Sequence, residues 1–194
     1  MGVRTLFKAL AVAVAGLALG LWSLRAALTG ALPIAVDSLG PWRMEARAGA
    51  ADADPYTRAR IERSGEIALG LGEGLRLTTR LDSQGRALDS ACIYKLGRQT
   101  PTARYWTLEA IDGSGFPFEN ADRRYALRST ELLRDADGGF AIWIAESPHS
   151  GNWLPVAPRV RFGLALRLYD PALSDAAVGF ERAAAPSVVR ERCR

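Results

Sequence analysis

The chain has 194 residues, of which 48% are hydrophobic and 24% charged, and a formal net charge of +4. That composition is ordinary for a globular protein and leaves room for one domain of about 150 residues beyond any N-terminal segment. The mild basicity contains no run of Lys and Arg interleaved with aromatics that would track a phosphate backbone, so no nucleic acid partner is expected.

Arg4 and Lys8 precede an uncharged run from Ala9 to Leu24 that Arg25 closes. As a helix the run covers about 24 Å, short of a hydrocarbon core of roughly 30 Å. Lys8 and Arg25 can snorkel outward to close the gap, and Trp22 suits the far interface. Residues 1–26 therefore read as a membrane anchor. The competing reading is a cleaved signal peptide, but Arg25 interrupts its exit and "TGA" at 29–31 is a poor small-residue site. On either reading the early positive charges keep the N-terminus in the cytoplasm and send the rest across. Leu6 stands where myristoylation at Gly2 would need Ser or Thr.

With the body outside the cytoplasm, Cys92 and Cys193 are expected to form a disulfide that pins the C-terminal tail. In the chain-entropy model a loop of about 100 residues corresponds to about 4.7 kcal/mol. The alternative is two unpaired thiols, with Cys92 buried as a small hydrophobe. Two distant thiols and a single histidine do not make a metal site, and neither a metal nor a cofactor is expected.

Residues 27–51 lack a strong period and read as a stalk, leaving 52–194 as the folded domain. In "DADPYTRARIERSG", Asp54 suits an N-cap, Pro55 the first helical position and Gly65 the stop, which predicts one short helix. Arg58, Arg60 and Arg63 fall toward its C-terminal end, where a solvated basic face complements the helix dipole. From Leu75 the period becomes two. "LRLTTRLD", "ACIYKL", "RYWTLEAID" and "VRFGLALRLYD" alternate apolar and polar residues, and "FAIWIA" is apolar on both faces, as a central strand would be. "SQGR", "DGSG" and "DADGG" supply turns. Asp135 and Asp137 resemble the opening of a calcium loop, but its closing glutamate is missing. The tail from Ala172 reads as irregular, with a short helical piece near 175–185. Many short strands after one helix predict an all-β antiparallel sandwich.

Taken in order, "DADPYTRA", "DSQGRALDSACIYKL", "ARYWTLEAID", "NADRRYAL", "DADGGFAIWI", "GNWLP" and "LALRLYDP" resemble the domain of unknown function 1214 family over about 52–171. The resemblance implies a jelly-roll-like β-sandwich, found in some relatives as half of a larger two-domain protein. The anchor and the cysteine near the C-terminus look like the short, membrane-anchored bacterial subgroup. That places the chain in the bacterial inner membrane, single pass, with its C-terminal domain in the periplasm. The family's recognisable positions match Tyr94, Trp106, Asp112, Asn120, Tyr125, Asn152, Trp153, Pro155, Arg167 and Tyr169, with no catalytic role attached to them.

Nucleophilic hydrolysis needs a nucleophile, a base and an orienting acid within hydrogen-bond reach. His149, the single histidine, lies in a Pro- and Gly-containing loop beside Ser150, and no "GxSxG" elbow occurs. An exposed loop histidine is the expected role. Glycan hydrolysis would need two carboxylates across a cleft. Glu109, Asp112, Asp122 and Asp170 are available, but most lie at strand ends or turns, where acids serve local roles. The preferred reading is a ligand-binding or envelope-interaction module in which Asn152, Trp153, Arg167 and Tyr169 meet a glycan or an anionic small ligand. The alternative is an envelope glycan hydrolase with paired carboxylates. A purely structural role for the same residues has Trp153 filling a sheet edge, Asn152 capping a turn and Arg167 pairing with an acid such as Asp112.

Overall fold

A computed structural model describes residues 2–29, 37–44, 48–70, 72–97, 102–120, 122–171 and 185–194. The expected helical piece near 175–185 and the "TGA" site lie largely outside these residues. The first helix, α1 (Val3–Leu28), carries through the apolar run and past Arg25. It is long and apolar enough for a membrane span or a signal sequence, and its most apolar window is wholly unburied by the rest of the chain. Only its end meets other protein: Ala27 is 3% exposed, and α1 touches α2 (Pro55–Ser64).

Helix α2 forms as its sequence dictates. The Asp54 carboxylate accepts hydrogen bonds from the amides of Tyr56 and Thr57, Pro55 opens the helix, and Gly65 ends it in the left-handed region at φ 65°.

Among the described residues ten strands form two sheets, β1 and β2 lying before α2 and the others after it. The strands are β1 (Asp37–Leu39), β2 (Trp42–Met44), β3 (Gly74–Thr79), β4 (Cys92–Leu96), β5 (Ala103–Ile111), β6 (Ala126–Arg128), β7 (Ile142–Ala145), β8 (Asn152–Pro155), β9 (Gly163–Pro171) and β10 (Val188–Cys193). The larger sheet has the order β1-β2-β3-β9-β5-β6 and the smaller β10-β4-β7-β8. All pairings are antiparallel except β7 with β8, which run parallel. The expectation of a purely antiparallel arrangement is corrected at that one pair. Gly151, at φ 85°, sits immediately before β8.

The inward residues of both sheets merge in one buried cluster. Leu75, Leu77, Trp106, Leu108, Leu164, Leu166 and Leu168 come from the larger sheet, and Tyr94, Leu96, Ile142, Ile144, Leu154 and Val188 from the smaller. The period-two pattern predicts most of this set, because alternate side chains of a strand share a face. Two segments differ from expectation. Within the stretch read as a stalk, β1 and β2 join the larger sheet, and the fully buried Trp42 donates its indole N–H to the Pro186 carbonyl at 2.8 Å. In the tail read as irregular, β10 forms an edge strand on β4 and places Cys193 opposite Cys92, where the two are joined by a disulfide.

Candidate functional site

Asn152 and Trp153 stand on β8 in the smaller sheet, and Arg167 and Tyr169 on the outer face of β9 in the larger. The four expected ligand residues therefore do not converge. Asn152, 7% exposed, is fully engaged: its carbonyl accepts from the Leu133 amide at 2.7 Å, and its NH₂ donates to the carbonyls of Leu133 and Ala141 at 2.8 and 3.0 Å. Trp153 is 8% exposed and donates its indole N–H to the Ala145 carbonyl at 3.0 Å, so it packs into the protein. Its partner in register is Trp143 of β7, whose ring stacks on His149 at 4.1 Å between centroids. His149, expected to be exposed, is half-buried in the loop between β7 and β8 by this stacking, with Nδ1 3.2 Å from the Ser150 carbonyl oxygen. Tyr169 packs against Tyr105 across the β5–β9 pair, centroids 5.7 Å apart.

Arg167 has a different environment. It stands directly opposite Arg76 in the β3–β9 register, an arrangement of like charges that is unfavourable by itself. Glu66 resolves it. Because Gly65 turns the chain out of α2, Glu66 reaches back to the sheet and pairs with Arg76 and with Arg167, each at 2.8 Å. On its other side Arg167 pairs with Glu109, its diagonal neighbour on β5. Partial burial works against the charge on Arg167. Hydrogen bonds and attraction from Glu109 and then Glu66 outweigh that burial and raise the guanidinium above its ordinary value. The acid expected for Arg167, Asp112, is engaged instead in its own turn, accepting from the amides of Ser114 and Phe116. Glu66 and Glu109 both pair with the one guanidinium of Arg167, and of the two only Glu66 lines the neighbouring cavities, which is not the geometry of carboxylates paired across a cleft.

Beside this network lies a groove of about 850 Å³ between the end of α1, α2 and the outer face of the larger sheet. Five arginines line it, Arg43, Arg60, Arg63, Arg76 and Arg80, against one carboxylate, Glu66. Their convergence follows from local periodicity. Arg76 and Arg80 share the outer face of the chain around β3, Arg43 stands opposite Thr78 between them, and Arg60 and Arg63 lie three apart on α2, on one helix face. Arg80 is held by the carbonyls of Asp112 and Gly113 at 2.9 and 3.1 Å. Arg43 and Arg63 form no ion pair among the described residues. A smaller recess lined by Arg43, Glu66, Arg76 and Arg167 opens beside it, which brings Arg167 alone of the expected residues to this region.

Sequence reasoning missed the groove. The available signal was the outward arginines at alternate positions 76 and 80, which a strand must present on one face. Arg60 and Arg63 were legible only as a solvated helix face, since nothing in the sequence sets α2 across a groove from that sheet. Among the described residues, no three His, Cys, Asp or Glu side chains cluster as metal ligands would.

The VPA0106 protein from Vibrio parahaemolyticus is similar in structure, with a TM-score of 0.58 at 21% identity, over 75% of this chain and 37% of that one. An uncharacterized protein from Burkholderia cenocepacia gives a TM-score of 0.43 at 19% identity, over 76% of this chain and 48% of that one. The chain thus spans less than half the length of either, and at such identity the first likeness speaks to the fold alone. No curated protein matches. The family described as "Protein of unknown function (DUF1214)" matches residues 73–173. That stretch begins one residue before β3 and runs through β9, more than half of the chain, and the protein belongs to the DUF1214 family.

Proposed function

We propose that the protein is a non-catalytic ligand-binding module of the bacterial envelope. In this reading α1 holds it in the inner membrane with the N-terminus in the cytoplasm, and a jelly-roll-like β-sandwich faces the periplasm. The length of α1, the charges at its two ends, the disulfide and the single core shared by both sheets support that placement. The ligand is an anionic small molecule or an acidic glycan. The observation that carries this is the groove in which five arginines face one carboxylate. Guanidinium forks match carboxylate and phosphate oxygens bidentately, and a concave low-dielectric wall strengthens the attraction.

The test is thermal unfolding of the full chain in neutral detergent against titrated inorganic phosphate, an acidic hexuronate glycan and its neutral counterpart. A ligand that binds only the native state stabilises it by about 2.7 kcal/mol at a hundred times its Kd. The two acids should raise Tm and the neutral glycan should not. Equal shifts for acidic and neutral glycans, or none for any of them, would overturn the reading.

A further inference from the structure

We propose that the ligand of the arginine groove is the phosphate of an anionic phospholipid headgroup in the leaflet from which α1 emerges. The inference rests on the anionic-ligand reading above and names the source of the anion. Leu28 and Thr29, the last residue of α1 and its C-cap, line the same groove as the arginines. If Arg25 marks the edge of the hydrocarbon, Thr29 lies four residues beyond it, about 6 Å along the axis. The headgroup layer is about 5–8 Å deep on each side of the bilayer. The groove mouth therefore opens at headgroup depth, and α1, touching α2, fixes it there.

The lining is also amphiphilic. Leu81 is 40% and Phe116 52% exposed, and both share the groove with the arginines, so apolar surface suited to the glycerol and upper acyl carbons adjoins cations suited to the phosphate. A headgroup that carries its own ammonium would set a cation against the arginines, which selects a net anionic lipid over a zwitterionic one.

The full chain reconstituted in nanodiscs tests this. Discs of phosphatidylcholine are compared with discs containing stepped fractions of phosphatidylglycerol, reading Tm and, by native mass spectrometry, the lipid retained on release. Arg43→Gln/Arg63→Gln removes two arginines that hold no ion pair among the described residues, and Tm unchanged in neutral discs shows that the variant folds. Arg104→Gln/Arg128→Gln removes the same charge from the far half of β5 and from β6. Phosphatidylglycerol should raise Tm and be selectively retained, the groove variant should need about thirtyfold more of it for the same rise, and the control variant should behave as wild type. Equal Tm in the two disc types, or equal losses in the two variants, would overturn the inference. A rise in detergent with free glycerol phosphate but none with phosphatidylglycerol would sink the lipid source while leaving the anionic-ligand reading standing. No response to phosphatidylglycerol, to glycerol phosphate or to the acidic glycan would sink both.

Discussion

Asn152 shows how much one amide can hold. Its three hydrogen bonds join β8 to the Leu133 backbone and to the residue preceding β7. Asn152→Ala would leave a donor and two acceptors without their partner, and each unsatisfied buried group costs about 1–3 kcal/mol. With partial relaxation we expect a loss of about 2–4 kcal/mol in urea unfolding with m unchanged; a loss below 1 kcal/mol would refute the clamp. Asp82 works at the same scale. It is 1% exposed, accepts from the amides of Gln84 and Arg86 and from the Arg86 side chain, and lies 3.3 Å from Arg190 Nε in an ion contact not aligned as a hydrogen bond. Burial pushes its carboxyl upward, but the bonds from Arg86 and Gln84 prevail and hold it below the usual carboxylate value. A depressed folded pKa means stability that is present above the unfolded value of about 3.9 and lost as pH falls through the folded one. Asp82→Asn should therefore be less stable than wild type at pH 7 and should lose less on acidification from pH 5 to pH 2. Parallel acid limbs for the two proteins would refute this. Neither role was readable from the sequence, where Asn152 looked like a turn cap or a ligand and Asp82 fell on the polar face of the strand expected at 75–82. Burial decided both, and burial depends on which strands come together.

Between elements, the link from the C-terminal end of α2 to the larger sheet runs through Glu66. The register sets Arg76 opposite Arg167, and Glu66 is the carboxylate that bridges them. Glu66→Gln keeps the shape but removes the charge from two charge-assisted hydrogen bonds, each worth about 1.5–3 kcal/mol to a charged partner. We expect about 2 kcal/mol of destabilisation and faster amide exchange in α2. In the Arg76→Met background most of that penalty should vanish, since one of the two opposed cations is gone; an additive double mutant would show that the bridge does not act as a unit. The elements themselves were legible in proportion to their length and contrast. β3, β4, β5, β9 and α2 carry clear alternation or cap signals and formed where expected. β1, β2 and β6 have three residues each, β8 is buried at all four positions, and β10 carries Arg190, Glu191 and Arg192 on an edge. A period cannot be read over three residues, and a strand without contrast has none.

At the scale of the whole molecule, the C-terminal tail is tied back to earlier strands. The tail is fastened to β4 by the β10 ladder and by Cys92–Cys193, and to β2 by the Trp42–Pro186 bond. The covalent tie was legible, because two distant cysteines in a chain with one histidine do not make a metal site. The strand that carries Cys193 was not, because its pairing is made across a sequence separation of 101. The ladder hides the consequence of losing the bridge from any inspection of native contacts. Reduction removes no hydrogen bond and leaves the core in place, so a large effect must come mainly from the unfolded ensemble, which regains the freedom of a long loop. The double substitution Cys92→Ala/Cys193→Ala should therefore lower stability by about 2–5 kcal/mol. Its native-state far-UV spectrum should match wild type, and protection from amide exchange should fall first in β10, an edge strand left without its covalent tie. Reducing agent should shift the wild type to the same Tm and leave the double variant unmoved. A variant as stable as the oxidised protein would mean that the ladder and the Trp42 bond alone already hold the tail.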